Sequence, residues 1–214
     1  MAANHELIKW KLLTLGCLSR NKFWGEDEGK AYRRAYCTTV LLVADGKNIL
    51  IDPSFPAEEM GRILDARCGL THADIDVVYL THSHGDHVVD IQAFDKAALF
   101  MAKEEFHHLK NPHDSHLSGV RPAEASLAAG IEYIHLPGHT LGLTGLVFQA
   151  AEGTIVLASD AAMTQDFYRA KQGYFNNVDP VATVNSINRI TEIADIVIPG
   201  HDNYFLVKST GLLK

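Results

Sequence analysis

The segment VVYLTHSHGDHVVD, residues 77–90, crowds three histidines and an aspartate against the end of an apolar run. The four residues are His82, His84, Asp86 and His87. The apolar run is typical of a short buried strand. Positions 82 and 84 then point the same way on extended backbone, and Gly85 lets the chain turn before positions 86 and 87. Imidazole and carboxylate groups are costly to bury unpaired and are good ligands for zinc and similar divalent metals. The segment therefore predicts a metal site at the end of a buried strand, against the alternatives of a surface histidine run or a polar turn.

Three further candidate ligands stand where other predicted strands end. They are His139 in LPGHTLG, Asp160 in GTIVLASD and His201 in VIPGHD. Each one alone has an ordinary explanation, as the polar tip of a Pro-Gly turn or as a helix cap. Strand ends that gather on one edge of a sheet are where α/β folds build their sites. Together with the first four residues, these three predict a site for two metal ions.

Hydrophobic periodicity predicts strands that precede helices in both halves of the chain. The predicted strands cover residues 8–15, 38–43, 48–51, 76–80, 131–136, 144–150 and 153–159, with a last strand and its turn in 194–202. Residues 19–34 and 107–121 are predicted loops. This order indicates two sheets covered by helices, a layered α/β arrangement.

The predicted helices cover residues 57–68 and 180–193, and residues 88–106 are predicted to hold a helix, a strand and a helix. Asp179 is expected to cap the last helix, with Pro180 in its first position. Its predicted buried face consists of Val184, Ile187, Ile190 and Ile193.

Composition limits the partners and the compartment. The chain has 214 residues, and we expect a single domain over 1–214. Its formal net charge of −7, without a Lys/Arg-rich run, argues against nucleic acid or an acidic membrane as a partner. Three widely spaced cysteines favour a reducing compartment. No apolar stretch approaches the roughly 20 residues of a membrane span, and the run after Lys11 is too short for a signal segment, so we expect a cytoplasmic protein.

The motifs THSHGDH (81–87), PGHT (137–140), SDA (159–161) and PGHD (199–202) together resemble those of the metallo-β-lactamase superfamily. The resemblance covers essentially the whole chain, because the predicted hairpin LLVADGKNILIDPS is similar to the family's early strand pair. It implies an αββα sandwich, in which two mixed β-sheets pack face to face with helices on the outer faces.

The resemblance also implies a ligand set for two divalent metal ions. One metal would take His82, His84 and His139, the other Asp86, His87 and His201, and Asp160 would bridge them. All seven positions are filled, as in an active dinuclear hydrolase. The expected cofactor is Zn²⁺, with Fe, Mn or Co as alternatives. A metal-bridging hydroxide would then be the nucleophile, and Asp86 and Asp160 are the candidate catalytic residues because either carboxylate could relay a proton.

Within the superfamily, Asp160 stands where true β-lactamases usually have a cysteine, which argues against that activity. Only residues 202–214 follow the last ligand, so we expect no additional glutathione-binding domain of the glyoxalase II type. The segments SDAAMTQDFY and NNVDPVATVNSINRI resemble the N-acyl homoserine lactonase-like branch, which implies a lactone or related carboxylic ester as substrate and a quorum-quenching role. Met163 departs from that branch, which often has a tyrosine there. Tyr168, Tyr174 and Tyr204 are candidates to replace it.

Several alternatives stay open. A phosphodiesterase or thioesterase of the same superfamily would use the same metal ligands, an iron-dependent sulfur dioxygenase would use part of them, and a metal-stabilised scaffold protein would need no chemistry. The sequence does not determine the number of subunits, and a homodimer is one option.

Other residues have weaker predicted roles. Asp52 is a candidate to accept the second N–H of a ligand imidazole, and Thr140 is expected to cap a turn. We expect His135 in the core or behind a ligand, and a second histidine cluster in a solvated loop (His107, His108, His113 and His116). Candidates for the pocket wall, for each of which ordinary packing is favoured, are Phe23, Trp24, Phe55, Met163, Phe167 and Phe175.

Overall fold

Two mixed β-sheets form the centre of the fold. The computed structural model describes residues 7–111 and 114–207. The strands of the first sheet, in spatial order, are β1 (Lys9–Leu12), β2 (Val40–Ala44), β3 (Lys47–Ile51), β4 (Val77–Leu80), β5 (Ala98–Met101) and β6 (Arg121–Pro122). Strands β1 to β3 pair antiparallel, and β3 to β6 pair parallel.

The second sheet is built from the other half of the chain. Its strands are β7 (Ile131–His135), β8 (Thr144–Ala150), β9 (Gly153–Ser159), β10 (Ile196–Pro199) and β11 (Phe205–Leu206), in the spatial order β11-β10-β9-β8-β7. The β9–β10 pair is parallel and the other pairs are antiparallel. The two-residue strand β6 begins at the last residue of the loop predicted over 107–121. Neither β6 nor β11 was predicted, because two residues are too few to show a period.

In the described part of the chain, four α-helices accompany the sheets: α1 (Ala57–Cys68), α2 (Lys103–His108), α3 (Gln165–Ala170) and α4 (Pro180–Ile193). Five 3₁₀ turns, Lys22–Trp24, His72–Asp74, Ile91–Ala93, Ser115–Leu117 and Asp160–Ala162, lie in the described ranges. The first helix predicted in residues 88–106 is only the 3₁₀ turn Ile91–Ala93. Each described helix is too short or too polar to cross a membrane.

Helix α4 confirms most of its prediction. The Asp179 side chain accepts a hydrogen bond from the Ala182 N–H, and Pro180 begins the helix. Of the predicted buried face, Ile187 and Ile190 are buried and Val184 is half-buried. The prediction for Ile193 is wrong because that side chain in the last turn is 37% exposed. Thr183 and Ser186 are buried instead, because the first half of the helix packs against the polar turn around Gly138.

The packing confirms the predicted sandwich of two sheets between helices. Successive side chains of β3 face opposite layers, as they must on a strand. Ile49 and Ile51 enter the layer between the sheets, while Leu50 enters an outer layer with Met60 and Leu64 of α1. The second sheet has an equivalent outer layer beneath α4. Because both faces are covered, the strands read as continuous apolar runs.

This architecture brings several strand ends to one edge. Asp52 directly follows β3, the segment beginning Thr81-His82 follows β4, Asp160 follows β9, and His201 follows β10 by one residue. Side chains from distant parts of the sequence therefore meet at this edge.

Candidate metal centre

All seven predicted ligands meet at this edge of the sheets, in two groups. The first group contains His82, His84, His139 and Asp160, and the second contains Asp86, His87 and His201. Within each group, one nitrogen or oxygen atom per residue lies within 4.8 Å of all the others. The first group thus contains the three histidines expected for one metal together with Asp160, and the second contains the three residues expected for the other.

Asp160 lies between the two groups, with one carboxylate oxygen facing each. Its Oδ2 is 3.6 Å from His82 Nε2 and 3.1 Å from His139 Nε2. Its Oδ1 is 3.3 Å from both His87 Nε2 and His201 Nε2. The carboxylate, a member of the first group, therefore also faces the second group.

Several polar atoms at the centre are buried without a hydrogen-bond partner among the described residues. These include His82 Nε2, His87 Nε2 and Asp160 Oδ1. An unpaired buried polar atom costs about 1–3 kcal/mol, so a cluster of them is stable only if something else binds there. Imidazole nitrogens and carboxylate oxygens that converge at these distances fit divalent metal ions.

Asp52 supports the centre from behind, and the prediction for it is confirmed. Its Oδ2 is 3.0 Å from His87 Nδ1. Because this oxygen accepts the Nδ1 proton, it favours the tautomer of His87 whose unprotonated Nε2 faces the centre. The same carboxylate accepts hydrogen bonds from the Thr81 N–H at 2.8 Å and hydroxyl at 2.7 Å. On the opposite side, His201 Nδ1 donates to the Tyr36 carbonyl at 3.0 Å, so the Nε2 atom of His201 also faces inward.

The backbone beneath the centre is strained at two neighbouring positions. Asp52 has φ 50° and Ser159 has φ 49°, although neither is glycine. Such conformations cost about 1–3 kcal/mol each and persist where the surroundings enforce them. Here the Ser159 hydroxyl donates to Asp52 Oδ2 at 3.2 Å, so the two strained residues hold each other in place.

The electrostatic environment of the protein favours neutral imidazoles at two candidate ligands and charged imidazoles at two others, His87 and His201, whose protons a metal ion would have to displace on binding. Burial lowers the pKa of His82 and of His84, which keeps both imidazoles neutral. Burial alone would raise the pKa of Asp160, but the surrounding imidazoles, His201 first, hold that pKa well below its ordinary value. Burial likewise opposes charge on His201, and the Asp160 carboxylate outweighs it and raises the pKa of His201.

A small cavity of about 70 Å³ opens onto the two groups. Besides ligand side chains it is lined by Leu18, Ala35, Met163, Tyr174 and Asn176. Of the predicted wall residues only Met163 lines it. Phe167 is buried, Phe55 packs at a tilt against Tyr36, and Phe23, Trp24 and Phe175 are exposed.

The candidate tyrosines do not offer a free hydroxyl to the cavity. Tyr168 bonds Thr191 at 2.7 Å, and Tyr204 packs edge-on against Trp10. Tyr174 lines the cavity, but its hydroxyl donates to the Arg20 carbonyl at 3.0 Å. Asn176 is thus a polar side chain in the wall that sequence reasoning missed, because nothing in the segment NNVDPVATVNSINRI distinguishes it from the adjacent Asn177.

The remaining predicted roles have mixed outcomes. The Thr140 hydroxyl accepts from the Leu143 N–H at 3.0 Å, which confirms the turn cap. The expectation for His135 is wrong, since it is exposed and its Nε2 donates to the Leu141 carbonyl at 2.9 Å. In the second histidine cluster, His107, His108 and His116 are exposed, and His113 lies outside the described residues.

Gly200 makes a close approach that predicts a specific defect. A Cβ atom at Gly200 would overlap Asp160 Oδ1, whereas a Cβ at Gly85, inside the histidine motif, would meet open space at an ordinary φ. We expect Gly200→Ala to lower metal affinity roughly tenfold by displacing Asp160, and Gly85→Ala to bind metal as the unmodified protein does. Metal titration of both purified variants tests this, and equal affinities would contradict the role given to Asp160.

Comparison with known sequences identifies relatives of this chain. A family model described as the metallo-beta-lactamase superfamily matches residues 32–201. Metallo-beta-lactamase domain-containing protein 1 of Mus musculus is 31% identical over 168 residues, which cover 74% of this chain and 61% of that protein. An N-acyl homoserine lactonase of Bacillus sp is 24% identical over 149 residues, or 64% of this chain and 60% of the relative. The chain thus spans about three fifths of the length of these two relatives.

Comparison with solved structures shows the same fold. A Staphylococcus aureus protein, described as a probable metal-dependent hydrolase, matches with a TM-score of 0.72 at 17% identity. The match covers 95% of this chain and 94% of that one. The two-sheet sandwich is therefore shared at low sequence identity.

Proposed function

This chain belongs to the metallo-beta-lactamase superfamily, and on that basis we propose that it is a metal-dependent hydrolase that opens a lactone or a related carboxylic ester. The observation that carries the proposal is the position of Asp160, whose two oxygens face different histidine groups at 3.1–3.6 Å. A carboxylate shared in this way suits two metal ions, one in each group. Zn²⁺ is the first candidate because it accepts mixed nitrogen and oxygen ligands.

The metal ions, when bound, would lower the pKa of a coordinated water to about 7, far below that of bulk water, and so supply a nucleophile at neutral pH. The protein's own residues position the ligands, move a proton and exclude water. Asp160 contacts both groups and keeps them next to each other. Asp86 is the better candidate to move a proton, because its side chain is 28% exposed while that of Asp160 is 3% exposed. Leu18, Ala35 and Met163 exclude water from the cavity wall.

The choice of a carbonyl substrate rests on relatives and on the cavity wall. The Bacillus sp relative is named as an N-acyl homoserine lactonase. Among the described residues, neither a serine nor a cysteine lines the cavity, so a covalent acyl-enzyme is not favoured there. A neutral carbonyl also suits a wall whose one amide, Asn176, can donate a hydrogen bond.

We predict that Asn176 orients the substrate carbonyl. Asn176→Ala should lower kcat/KM for the best ester substrate about tenfold, less than the 10²–10³-fold typical of a buried donor, because Asn176 is exposed. Metal content should not change. Asn203→Ala, another exposed asparagine outside the cavity, is the control. An unchanged kcat/KM for Asn176→Ala would remove this role.

A substrate screen tests the proposed function. The protein purified with its bound metal is assayed against homoserine lactones of several acyl lengths, simple lactones, thioesters and phosphodiesters. We expect the highest kcat/KM among lactones or carboxylic esters. Activity confined to phosphodiesters or thioesters would overturn the substrate class, and consumption of O₂ with a sulfur substrate would overturn hydrolysis.

A further inference from the structure

A buried carboxylate on α2 lies close to the metal centre without belonging to either ligand group. Glu105 is 3% exposed. Its Oε1 accepts hydrogen bonds from the Ser83 hydroxyl at 2.7 Å and from the Ser83 N–H at 3.1 Å. Its Oε2 accepts one from the Thr140 hydroxyl at 2.6 Å. A charged acceptor with three donors is a strong and specific anchor.

The two residues that Glu105 binds flank ligands of the same group. Ser83 lies between His82 and His84, and Thr140 directly follows His139. Glu105 therefore ties together the two segments that supply every histidine of the first group. Two candidate ligand atoms of that group, His84 Nδ1 and His139 Nε2, are at a hydrogen-bond distance of 2.8 Å.

The packing around Glu105 restricts the movement of the turn that carries Thr140 relative to α2. Gly142, in the turn after Thr140, approaches so closely that a Cβ there would overlap the Glu105 backbone. The Thr140 hydroxyl that donates to Glu105 also accepts from Leu143. The turn carrying His139 is thus held against the first turn of α2 by backbone contact as well as by hydrogen bonds.

The second group has different supports. Asp52 holds His87, the Tyr36 carbonyl holds His201, and the Ser54 hydroxyl donates to the Asp86 carbonyl at 2.5 Å. The hydrogen bonds that the structure gives for the Glu105 side chain reach only Ser83 and Thr140. A change at Glu105 should therefore affect one group and leave the other.

We propose that Glu105 is a positioning residue for one metal site, holding His82, His84 and His139 at the separation that metal binding requires. The inference rests on the proposed function and its metal centre. It gives each of the two ligand groups its own set of supporting residues. It distinguishes Glu105 from the adjacent Glu104, which is exposed on the same helical turn.

Stepwise metal titration tests this inference. Metal-free protein is titrated with Zn²⁺ by calorimetry and with Co²⁺ by visible absorption, for the unmodified chain, Glu105→Ala, Glu105→Gln and the control Glu104→Gln. We expect Glu105→Ala to weaken one of two binding steps about 10–100-fold and to leave the other within about threefold. Glu105→Gln keeps an acceptor for Ser83 and should show a smaller loss, and Glu104→Gln should show none.

Two milder variants keep the test decisive if Glu105→Ala does not fold. Ser83→Ala and Thr140→Val each remove one partner of Glu105, and each should weaken the same step in part. If the unmodified chain binds two metals and these variants bind both normally, the role of Glu105 is wrong while the proposed function stands. Equal weakening of both steps would also overturn it. A chain that binds no metal would overturn the proposed function itself.

Discussion

Replacement of Asp160 by asparagine is expected to lower kcat/KM for hydrolysis by roughly 10²–10⁴-fold and to reduce the metal bound per chain. The change keeps the volume but removes the charge that faces both groups, and it turns an N–H₂ toward imidazole nitrogens 3.1–3.6 Å away. Removing one partner from a buried charged cluster costs about 3–5 kcal/mol, and each 1.36 kcal/mol or so is tenfold in rate.

Steady-state kinetics and elemental analysis of the same Asp160→Asn sample measure both effects. Asp166→Asn is the matched control, because Asp166 lies six positions further along the chain in α3 and outside both groups. If Asp160→Asn kept full metal content and every measured activity, a metal-stabilised scaffold would explain the site better than a hydrolase.

Replacement of Asp52 by asparagine is expected to weaken the second metal group about 10–100-fold and to destabilise the fold by about 1–3 kcal/mol. The asparagine amide can still accept from the Thr81 N–H. Its nitrogen, however, would face the donors now bound to Oδ2, including His87 Nδ1. His87 must then lose that hydrogen bond or move its proton to Nε2, where it would block metal binding.

Metal titration together with chemical unfolding of the metal-free protein separates the two effects of Asp52→Asn. Asp45→Asn is a suitable control, since Asp45 also has a positive φ but lies in the β2–β3 turn. Asp52→Asn should affect the step that Glu105→Ala leaves intact. Loss of stability with both binding steps unchanged would show that Asp52 supports only the fold.

The residues proposed as ligands could be found from the sequence because each of the segments that carry them follows a recognisable strand. His82, Asp160 and His201 stand at or just after the ends of β4, β9 and β10, where apolar runs give way to polar turns. Asp52 was found for the same reason, at the end of β3. Residue type, spacing and strand position therefore carry this part of the site.

Glu105 and Asn176 could not be predicted, because their roles depend on contacts that no local pattern encodes. Glu105 reaches residues 22 and 35 positions away in the sequence, and the helix that carries it has only six residues. Its neighbour Glu104 is identical in type and exposed. Only the tertiary fold distinguishes the two.

Local patterns also failed where tertiary packing changed which face is buried. The periodicity of α4 predicts an apolar stripe that includes Ile193, but the helix buries the hydroxyls of Thr183 and Ser186 near its start. The Ser186 hydroxyl donates to the Pro137 carbonyl at 2.8 Å, next to the turn that carries His139. The buried hydroxyl groups that interrupt the apolar stripe thus lie in the part of α4 that contacts the turn carrying His139.

The most direct test of the two-metal hydrolase is elemental analysis of the purified protein, made alongside lactone hydrolysis on the same sample. The arrangement of Asp160 between two histidine groups predicts about two divalent metal ions per chain, with hydrolysis lost on chelation and restored when metal is returned. A single iron ion per chain, with O₂ consumption and no hydrolysis, would contradict it.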